Sequence, residues 1–206
     1  MADPDNSPEI VLASSSPTRQ RLLREAGIEF TVVPSTVDEQ VVRDTLKSGG
    51  QTVDPTDMAE VLARAKAEEV SARHPGSVVI GADQVLACGD EVINKPNTIE
   101  AARETLLKLR GRTHQLHSAV VIAEDGETEW TYIDTAHLAM RSFSFPFLGW
   151  YMVQAGETVL DSVGAYQLES PGIQLFERIE GDFFTILGLP LLPLLTELRA
   201  RKVIPE

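Results

Sequence analysis

The spacing of apolar and polar residues changes period several times along the chain, as it does in proteins that combine helices and strands. Apolar runs bounded by turn residues predict strands at 9–13, 30–35, 77–87, 91–94 and 173–182, with two long strands between 113 and 143. Apolar residues at helical spacing predict helices at 17–26, 57–73, 99–110, 145–155 and 189–202. This mixture indicates an α/β protein with a mixed sheet.

Helix boundaries follow from local residue chemistry. Ser16 is expected to cap a helix that starts at Pro17 and stops at Gly27, with Leu22, Leu23 and Ala26 as its buried stripe. Asp57 and Glu60 form a capping-box pattern for the next helix. Residues 44–56 are rich in Gly, Ser, Thr and Pro, which predicts a loop.

Length and charge limit the function classes. The chain has 206 residues, and we expect a tail over 1–9 and a single two-lobed domain over 10–206. Its net charge of −13 argues against a nucleic-acid polymer as partner. The single cysteine, Cys88, excludes a disulfide framework within the chain and is expected to be a packed small residue. No apolar stretch approaches the roughly 20 residues that span a bilayer, and no secretory signal is evident, so we expect a cytoplasmic protein without a membrane segment.

Three serines stand where the first strand turns into a helix, in the sequence Leu-Ala-Ser-Ser-Ser-Pro-Thr-Arg beginning at Leu12. A helix start exposes unpaired N–H groups and attracts anions, phosphate in particular. A Ser-Pro pair can equally be a simple cap. Arg19 lies one turn into the helix and can reach back toward its start, which favours a phosphate site.

Asp83 interrupts an apolar strand, where an unpaired carboxylate is costly to bury. It is either a strand-end residue bonded to a turn, or a metal ligand or general base. Lys95, after the following hairpin, is either a solvated lysine or a point charge for phosphate. His114 and His117 lie three apart in a strand, so they point to opposite faces and do not favour zinc. Glycine-rich phosphate-loop motifs do not occur in the sequence.

Seven short motifs, taken in order, resemble those of the Maf family over residues 10–200. They are Leu-Ala-Ser-Ser-Ser-Pro-Thr-Arg-Gln-Arg-Leu-Leu at 12–23, Val-Asp-Glu at 37–39, Arg-Ala-Lys-Ala at 64–67, Gly-Ala-Asp-Gln-Val at 81–85, Asn-Lys-Pro at 94–96, Gly-Ala-Tyr at 164–166 and Gly-Leu-Pro-Leu at 188–191. The resemblance implies the Maf/Ham1 (ITPase-like) fold, an elongated mixed β-sheet flanked by helices, with a nucleotide-binding cleft. It also suggests a homodimer.

The same resemblance implies site residues. Ser14 and Arg19 match the phosphate-binding serine and arginine of the family, and Lys66 and Lys95 match its two motif lysines. Glu39 and Asp83 match the carboxylates that hold Mg²⁺ or Mn²⁺, and Asp83 also occupies the catalytic place. These six residues, Ser14, Arg19, Glu39, Lys66, Asp83 and Lys95, all lie in the first half of the chain.

Three further positions distinguish two branches of the family, and they are Thr18, Gln84 and Glu169 in this chain. The branch acting on dTTP and UTP has arginine, threonine and glutamine there, and the branch acting on 7-methyl-GTP has tryptophan, glutamine and glutamate. The chain matches the second branch at Gln84 and Glu169 and departs from both at Thr18. An ionised Glu169 also suits guanine, because guanine presents two adjacent donors to an acceptor-only group.

The sequence therefore predicts a nucleoside triphosphate pyrophosphatase that hydrolyses its substrate to the monophosphate and pyrophosphate, acting on 7-methyl-GTP or a related guanine nucleotide. The dTTP/UTP activity is the alternative substrate assignment. A nucleotide-binding regulator of septum formation and an acidic interaction module are alternatives of other classes. A regulator has no need of a water-orienting carboxylate, which argues against that alternative.

Overall fold

The computed structural model describes residues 8–48 and 53–205. Within these ranges the strands are β1 (Ile10–Leu12), β2 (Thr31–Val32), β3 (Val78–Cys88), β4 (Glu91–Ile93), β5 (Thr113–Glu124), β6 (Glu127–Met140) and β7 (Phe176–Glu180). The helices are α1 (Pro17–Glu25), α2 (Glu39–Ser48), α3 (Pro55–Ser71), α4 (Ile99–Leu109), α5 (Phe145–Ala155), α6 (Phe183–Ile186) and α7 (Leu191–Ala200). Two 3₁₀ turns cover Gly156–Leu160 and Pro171–Leu175.

The seven strands form one sheet in the order β2-β1-β3-β5-β6-β7, with β4 paired to β3. Strand β1 runs parallel to both β2 and β3, and its Val11 lies opposite Thr31 and Val79. The pairs β3–β4 and β6–β7 are antiparallel. The predicted α/β class with a mixed sheet is confirmed.

The chain divides into two compact units. The first contains the described residues up to Asp83, Ser118–Asp134 and the residues from Gly188 onward, and the second contains Gln84–His117 and Thr135–Leu187. In the first unit Val11, Ala13, Val70 and Val79 pack together and join β1, β3 and α3. In the second unit a larger core forms around α4, α5 and β6. Its fully buried members include Leu106, Leu109, Leu138, Phe143, Leu148 and Tyr151.

Most predicted elements are confirmed, and the differences have local causes. Ser16 caps α1 by accepting a hydrogen bond from the Arg19 N–H, and Leu22 and Leu23 are buried as expected. The prediction that Ala26 is buried is wrong, because this residue is the exposed C-cap of the helix. Strand β3 continues through Asp83 without interruption.

The predicted loop over 44–56 is wrong at both ends. Helix α2 extends to Ser48, and α3 begins at Pro55, because Asp54 caps it by accepting the Thr56 N–H at 2.8 Å. The true cap therefore lies three residues before the predicted Asp57. Residues 49–52 of that loop, and residues 1–7 of the predicted tail, lie outside the described residues.

Candidate active site

The serine turn uses its hydroxyls for two different tasks. Ser16 Oγ accepts the Arg19 N–H and caps α1, as the simple interpretation of the turn predicts. Ser14 Oγ is buried and accepts the Ser16 N–H at 3.2 Å and the Arg19 Nη1–H at 3.3 Å. Capping therefore explains Ser16, while Ser14 and Arg19 form a polar pair of their own.

Arg19 is anchored by backbone carbonyls within the first unit. Its Nε donates to Gly188 O at 2.8 Å, and its Nη1 donates to Ala82 O at 2.8 Å. Ala82 directly precedes Asp83 in the chain, so this hydrogen bond fixes the Arg19 guanidinium near Asp83. An arginine held in this way is a preorganised donor for a phosphate group.

Gly81 brings α3 close to β3. A Cβ at this position would lie 2.5 Å from Ala63 O and 2.7 Å from Ala67 Cβ, so a larger residue would push the helix away. Lys66 is on the same helix, one turn from Ala63. The Gly-Ala-Asp motif thus sets the approach of the helix that supplies the lysine partner of Asp83.

Lys66 lies between two carboxylates. Its Nζ is 2.6 Å from Asp83 Oδ1 and 2.7 Å from Glu39 Oε1. The Asp83 side chain is only 6% exposed, whereas that of Glu39, in the first turn of α2, is 46% exposed. A buried carboxylate needs such a partner, because desolvation of an unpaired charge is costly.

The two carboxyl groups have pKa values displaced in opposite directions. Burial raises the pKa of Asp83 above its ordinary value, although Lys66 and Arg19 oppose the change. Burial also acts to raise the pKa of Glu39, but the charges of Lys66 and Arg43 outweigh it and the pKa lies below its ordinary value. Asp83 is therefore the better proton acceptor, and Glu39 is the carboxylate that stays ionised.

One carboxylate oxygen of Asp83 lacks a hydrogen bond within the described residues. Asp83 Oδ2 is buried and has no hydrogen-bond partner among residues 8–48 and 53–205. Buried carboxylate oxygens are normally satisfied, so an orphaned one indicates a water, an ion or a substrate atom that completes it. Its position next to three cationic side chains indicates chemistry on an anionic substrate.

The residues present fit a divalent cation that is shared with a substrate. In the described part of the chain, no group of three or more His, Cys, Asp and Glu side chains is placed to hold a metal ion. Glu39 and Asp83 are brought close together because both bind Lys66 Nζ, and Asp83 Oδ2 has no hydrogen-bond partner among the described residues. Two neighbouring carboxylates suit Mg²⁺, which usually binds through one or two carboxylates plus phosphate oxygens.

The remaining predicted residues fall outside this cluster. Thr18 is half-buried in the first turn of α1, next to Arg19. Gln84, Lys95 and Glu169 belong to the second unit. Gln84 Nε2 donates to the carbonyl oxygens of Thr185 and Ile186, at 3.1 and 3.0 Å, which fixes the orientation of its amide. The roles predicted for these residues stay predictions.

Lys95 and Glu169 are both exposed. Lys95 follows β4, and Glu169 lies in the turn that precedes the second 3₁₀ turn. The backbone of the Gly-Ala-Tyr segment before Glu169 is fixed by Ser162, whose Oγ accepts the Tyr166 N–H at 3.0 Å and donates to Tyr166 O. Glu169 is thus an accessible carboxylate close to a well-ordered turn.

The second unit has a buried polar pair of another kind. His114 Nε2 and the Tyr166 hydroxyl are 2.7 Å apart, and His114 is 1% exposed. Burial lowers the pKa of His114 to about 4 and raises that of Tyr166, so both groups are neutral near pH 7. His117 instead contacts Thr135 Oγ1 through its Nδ1, so the two histidines make separate contacts.

Arg43 is a member of the cluster that sequence reasoning did not single out. It lies one helical turn after Glu39 on α2, in a segment adjacent to the predicted loop. Its Nη2 is 3.8 Å from both Glu39 Oε2 and Asp83 Oδ2. The spacing of apolar residues at Val41, Val42 and Leu46 is the feature that could have revealed the helix and the position of Arg43 on it.

Similarity to known proteins agrees with this geometry. A family model described as Maf-like protein matches residues 9–201. The chain belongs to the Maf family. The resemblance inferred from the seven sequence motifs is therefore confirmed, and the cluster at Asp83 lies within the matched part of this Maf protein.

Curated Maf relatives are similar over nearly their full length. A protein from Brucella abortus biovar 1 (strain 9-941) named 7-methyl-GTP pyrophosphatase is 54% identical over 196 residues, which is 95% of this chain and 98% of that protein. A protein from Paramagnetospirillum magneticum (strain ATCC 700264 / AMB-1) named nucleoside triphosphate pyrophosphatase is 53% identical, covering 92% and 96%. The solved HAM1 protein from Coxiella burnetii is 16% identical with a TM-score of 0.40, covering 66% of this chain and 74% of that one, a similarity too low to assign the fold by itself.

Proposed function

We propose that this protein is a nucleoside triphosphate pyrophosphatase that cleaves between the α- and β-phosphates and releases a monophosphate and pyrophosphate. The observation that carries the proposal is the buried Asp83, whose Oδ2 lacks a hydrogen-bond partner among the described residues while Oδ1 is bound by Lys66. The pyrophosphatase names of the relatives support it. A pyrophosphatase is a hydrolase that acts on acid anhydrides, so the names of the relatives also support this enzyme class.

The predicted site residues have distinct roles in this reaction. Asp83 Oδ2 accepts a proton from the attacking water, and the raised pKa of Asp83 suits it to that task. Arg19 and Lys66 stabilise the negative charge that develops on the phosphate oxygens, and Ser14 donates a further hydrogen bond there. Lys95 contributes a charge to the leaving pyrophosphate.

Glu39 and Asp83 would hold the metal, Mg²⁺ or Mn²⁺. The ion supplies charge neutralisation and orients the phosphate oxygens when it is bound. Glu39 is suited to this role because its lowered pKa keeps it ionised. Lys66, within hydrogen-bond distance of both carboxylates, holds them in position.

The substrate is proposed to be 7-methyl-GTP or a closely related guanine nucleotide. Glu169 would accept hydrogen bonds from the N1–H and the amino group of guanine, with Gln84 as a second base-reading residue and Thr18 as the third. The name of the Brucella relative supports this choice over dTTP and UTP. The biological role would be removal of modified nucleotides from the pool.

The expected partners are limited to the nucleotide and a second copy of the chain. No helix in the described ranges is long and apolar enough to cross a membrane. The homodimer and the cytoplasmic location expected from the sequence stay predictions.

A panel of nucleotides tests the proposal. The protein is incubated with Mg²⁺ and 7-methyl-GTP, GTP, UTP or dTTP, and the nucleotide product and pyrophosphate are quantified by chromatography. The expected result is equal amounts of 7-methyl-GMP and pyrophosphate, formed faster than UMP or dTMP. Preference for UTP and dTTP would reverse the substrate assignment, and binding without turnover would support the regulator.

A further inference from the structure

Arg43 sits at the carboxylate oxygens that Lys66 does not use. Lys66 binds Asp83 Oδ1 and Glu39 Oε1, whereas Arg43 Nη2 faces Asp83 Oδ2 and Glu39 Oε2 at 3.8 Å each. The Arg43 side chain is 13% exposed, so the guanidinium is held inside the cluster rather than in solvent. The two cations therefore cover different oxygens of the same two carboxylates.

The contacts of Arg43 with the two carboxylates are ion pairs without hydrogen bonds. A separation of 3.8 Å exceeds the 2.7–2.9 Å typical of a charge-assisted hydrogen bond, as the orphaned state of Asp83 Oδ2 also indicates. Arg43 Nη1 instead points to Met58 Sδ at 3.1 Å, and a thioether is a weak acceptor. Arg43 thus supplies charge to the carboxylates without satisfying their oxygens.

The cluster carries more positive than negative charge. Lys66, Arg43 and Arg19 face the two carboxylates of Glu39 and Asp83. Charges at these separations interact strongly where water is excluded, so an added cation meets an unfavourable field and a polyphosphate meets a favourable one. Arg43 is the cation nearest to the oxygens that a metal ion would use.

We propose that Arg43 acts as the counter-ion of Glu39 and Asp83 in the nucleotide-free protein and keeps the affinity of this protein for a divalent cation low. The inference rests on the proposed function, because it takes these two carboxylates as the metal-holding groups. Its consequence is that metal binding depends on the negative charge that the triphosphate brings. Arg43 thereby acts through the two carboxylates with which it forms ion pairs.

Binding of Mn²⁺ to the nucleotide-free protein tests the inference, with free Mn²⁺ measured by electron paramagnetic resonance. Arg43→Gln and Arg43→Met both remove the charge and should bind Mn²⁺ at least tenfold more tightly than the parent, a change of about 1.4 kcal/mol. Arg43→Lys keeps the charge and should bind within threefold of the parent. Two charge-removing variants are used so that, if one of them does not fold, the other still tests the inference.

Arg64→Gln is the matched control. Arg64 is 45% exposed on α3 and pairs with Glu60 four residues earlier, as Arg43 pairs with Glu39. It changes the net charge by the same amount and should leave Mn²⁺ affinity unchanged. Equal affinities for the parent and both charge-removing variants, or the same gain in Arg64→Gln, would overturn the inference. Failure of the pyrophosphatase reaction itself would appear in the product assay, since Mn²⁺ binding is measured without nucleotide.

Discussion

Two ionisable side chains in this protein, Asp83 and His114, are buried with partners of opposite kinds. In the first unit Asp83 is buried beside Lys66, a cationic partner whose charge opposes the effect of burial on the pKa of Asp83. In the second unit His114 is buried beside Tyr166, and both are neutral. Burial favours neutral forms, so keeping charges inside a protein requires opposite charges nearby.

The difference in charge is the reason that the proposed chemistry is assigned to Asp83 and not to His114. Each group has one buried atom without a hydrogen-bond partner among the described residues, Oδ2 in Asp83 and Nδ1 in His114, so the charge around them is what distinguishes the two. His114 is hydrogen-bonded to a tyrosine within an aromatic core that includes Phe176. Substitutions at the charged Asp83 cluster and at the neutral His114–Tyr166 pair should therefore have different effects on stability and activity.

The largest effect on stability is expected from Lys66→Met. The substitution leaves Asp83 buried without its hydrogen-bonded cation, so the free energy of unfolding should fall by about 3 kcal/mol at pH 7. Urea unfolding measures the change. Lys108→Met is the control, because the Lys108–Glu91 pair is exposed and its loss should cost less than about 1 kcal/mol. Similar small losses in both variants would show that the buried pair is no different from a surface pair.

The neutral pair predicts a dependence of stability on pH. Because the pKa of His114 is lowered to about 4 from an ordinary 6.5, only the unfolded chain takes up this proton between those pH values. The contribution is complete above pH 6.5 and is lost as pH falls toward 4, by up to about 3 kcal/mol.

The pH effect is measured by urea unfolding at several pH values between 4 and 7. Carboxylates also titrate in this range, so the parent is compared with His114→Gln, which lacks the ionisable ring. The stability of the parent should fall more steeply toward low pH than that of the variant. Parallel pH profiles would contradict a buried neutral His114.

The substitution Glu169→Gln tests whether Glu169, in the second unit, contributes to the choice of substrate. A glutamine presents one acceptor and one mismatched donor to guanine, which costs about 1–3 kcal/mol, or a 5- to 150-fold change in relative kcat/KM. The ratio of activity on 7-methyl-GTP to activity on UTP should fall by that factor. If the ratio stays within twofold of the parent, Glu169 is only a solvated turn residue next to Ser170.

The smallest expected effect concerns Thr18, next to Arg19, which is proposed to bind phosphate. A tryptophan face attracts the cationic ring of 7-methylguanine by about 0.5–2 kcal/mol, and threonine has no such face. Thr18→Trp should therefore raise the preference for 7-methyl-GTP over GTP by about 2- to 30-fold. Thr18→Val adds no ring and should leave the preference unchanged, and an equal gain in both variants would rule out stacking.

The order of strands and helices was largely predictable from the sequence because it rests on local periodicity. Caps such as Ser16 and Thr98, and the stop at Gly156, depend on residues within one turn of the helix end. Helix α2 was missed because the Gly- and Ser-rich composition at 48–50 outweighed a short apolar pattern. The start of α3 was misplaced because both Asp54 and Asp57 are good caps, and only the structure distinguishes them.

The sequence predicted which residues form the candidate site, but it did not predict the contacts between them. The motifs named Ser14, Arg19, Glu39, Lys66 and Asp83, which the structure brings into one cluster of the first unit. The pairing of Lys66 with Asp83 depends on how closely α3 packs on β3 at Gly81, which no local pattern encodes. The position of Arg43 also depends on tertiary packing, because its Nη1 contacts Met58 Sδ on α3.

A paired comparison of Asp83→Asn and His114→Gln tests whether the charged cluster performs the chemistry. Pyrophosphate and 7-methyl-GMP formed from 7-methyl-GTP are measured at a temperature where circular dichroism shows the parent and both variants to be folded. Asp83→Asn keeps the shape of the side chain and removes its charge, so turnover should fall by about 10²-fold or more, while His114→Gln should stay within about threefold of the parent. Turnover near the parent rate in Asp83→Asn, or a loss as large in His114→Gln, would contradict the assignment of the chemistry to the charged cluster.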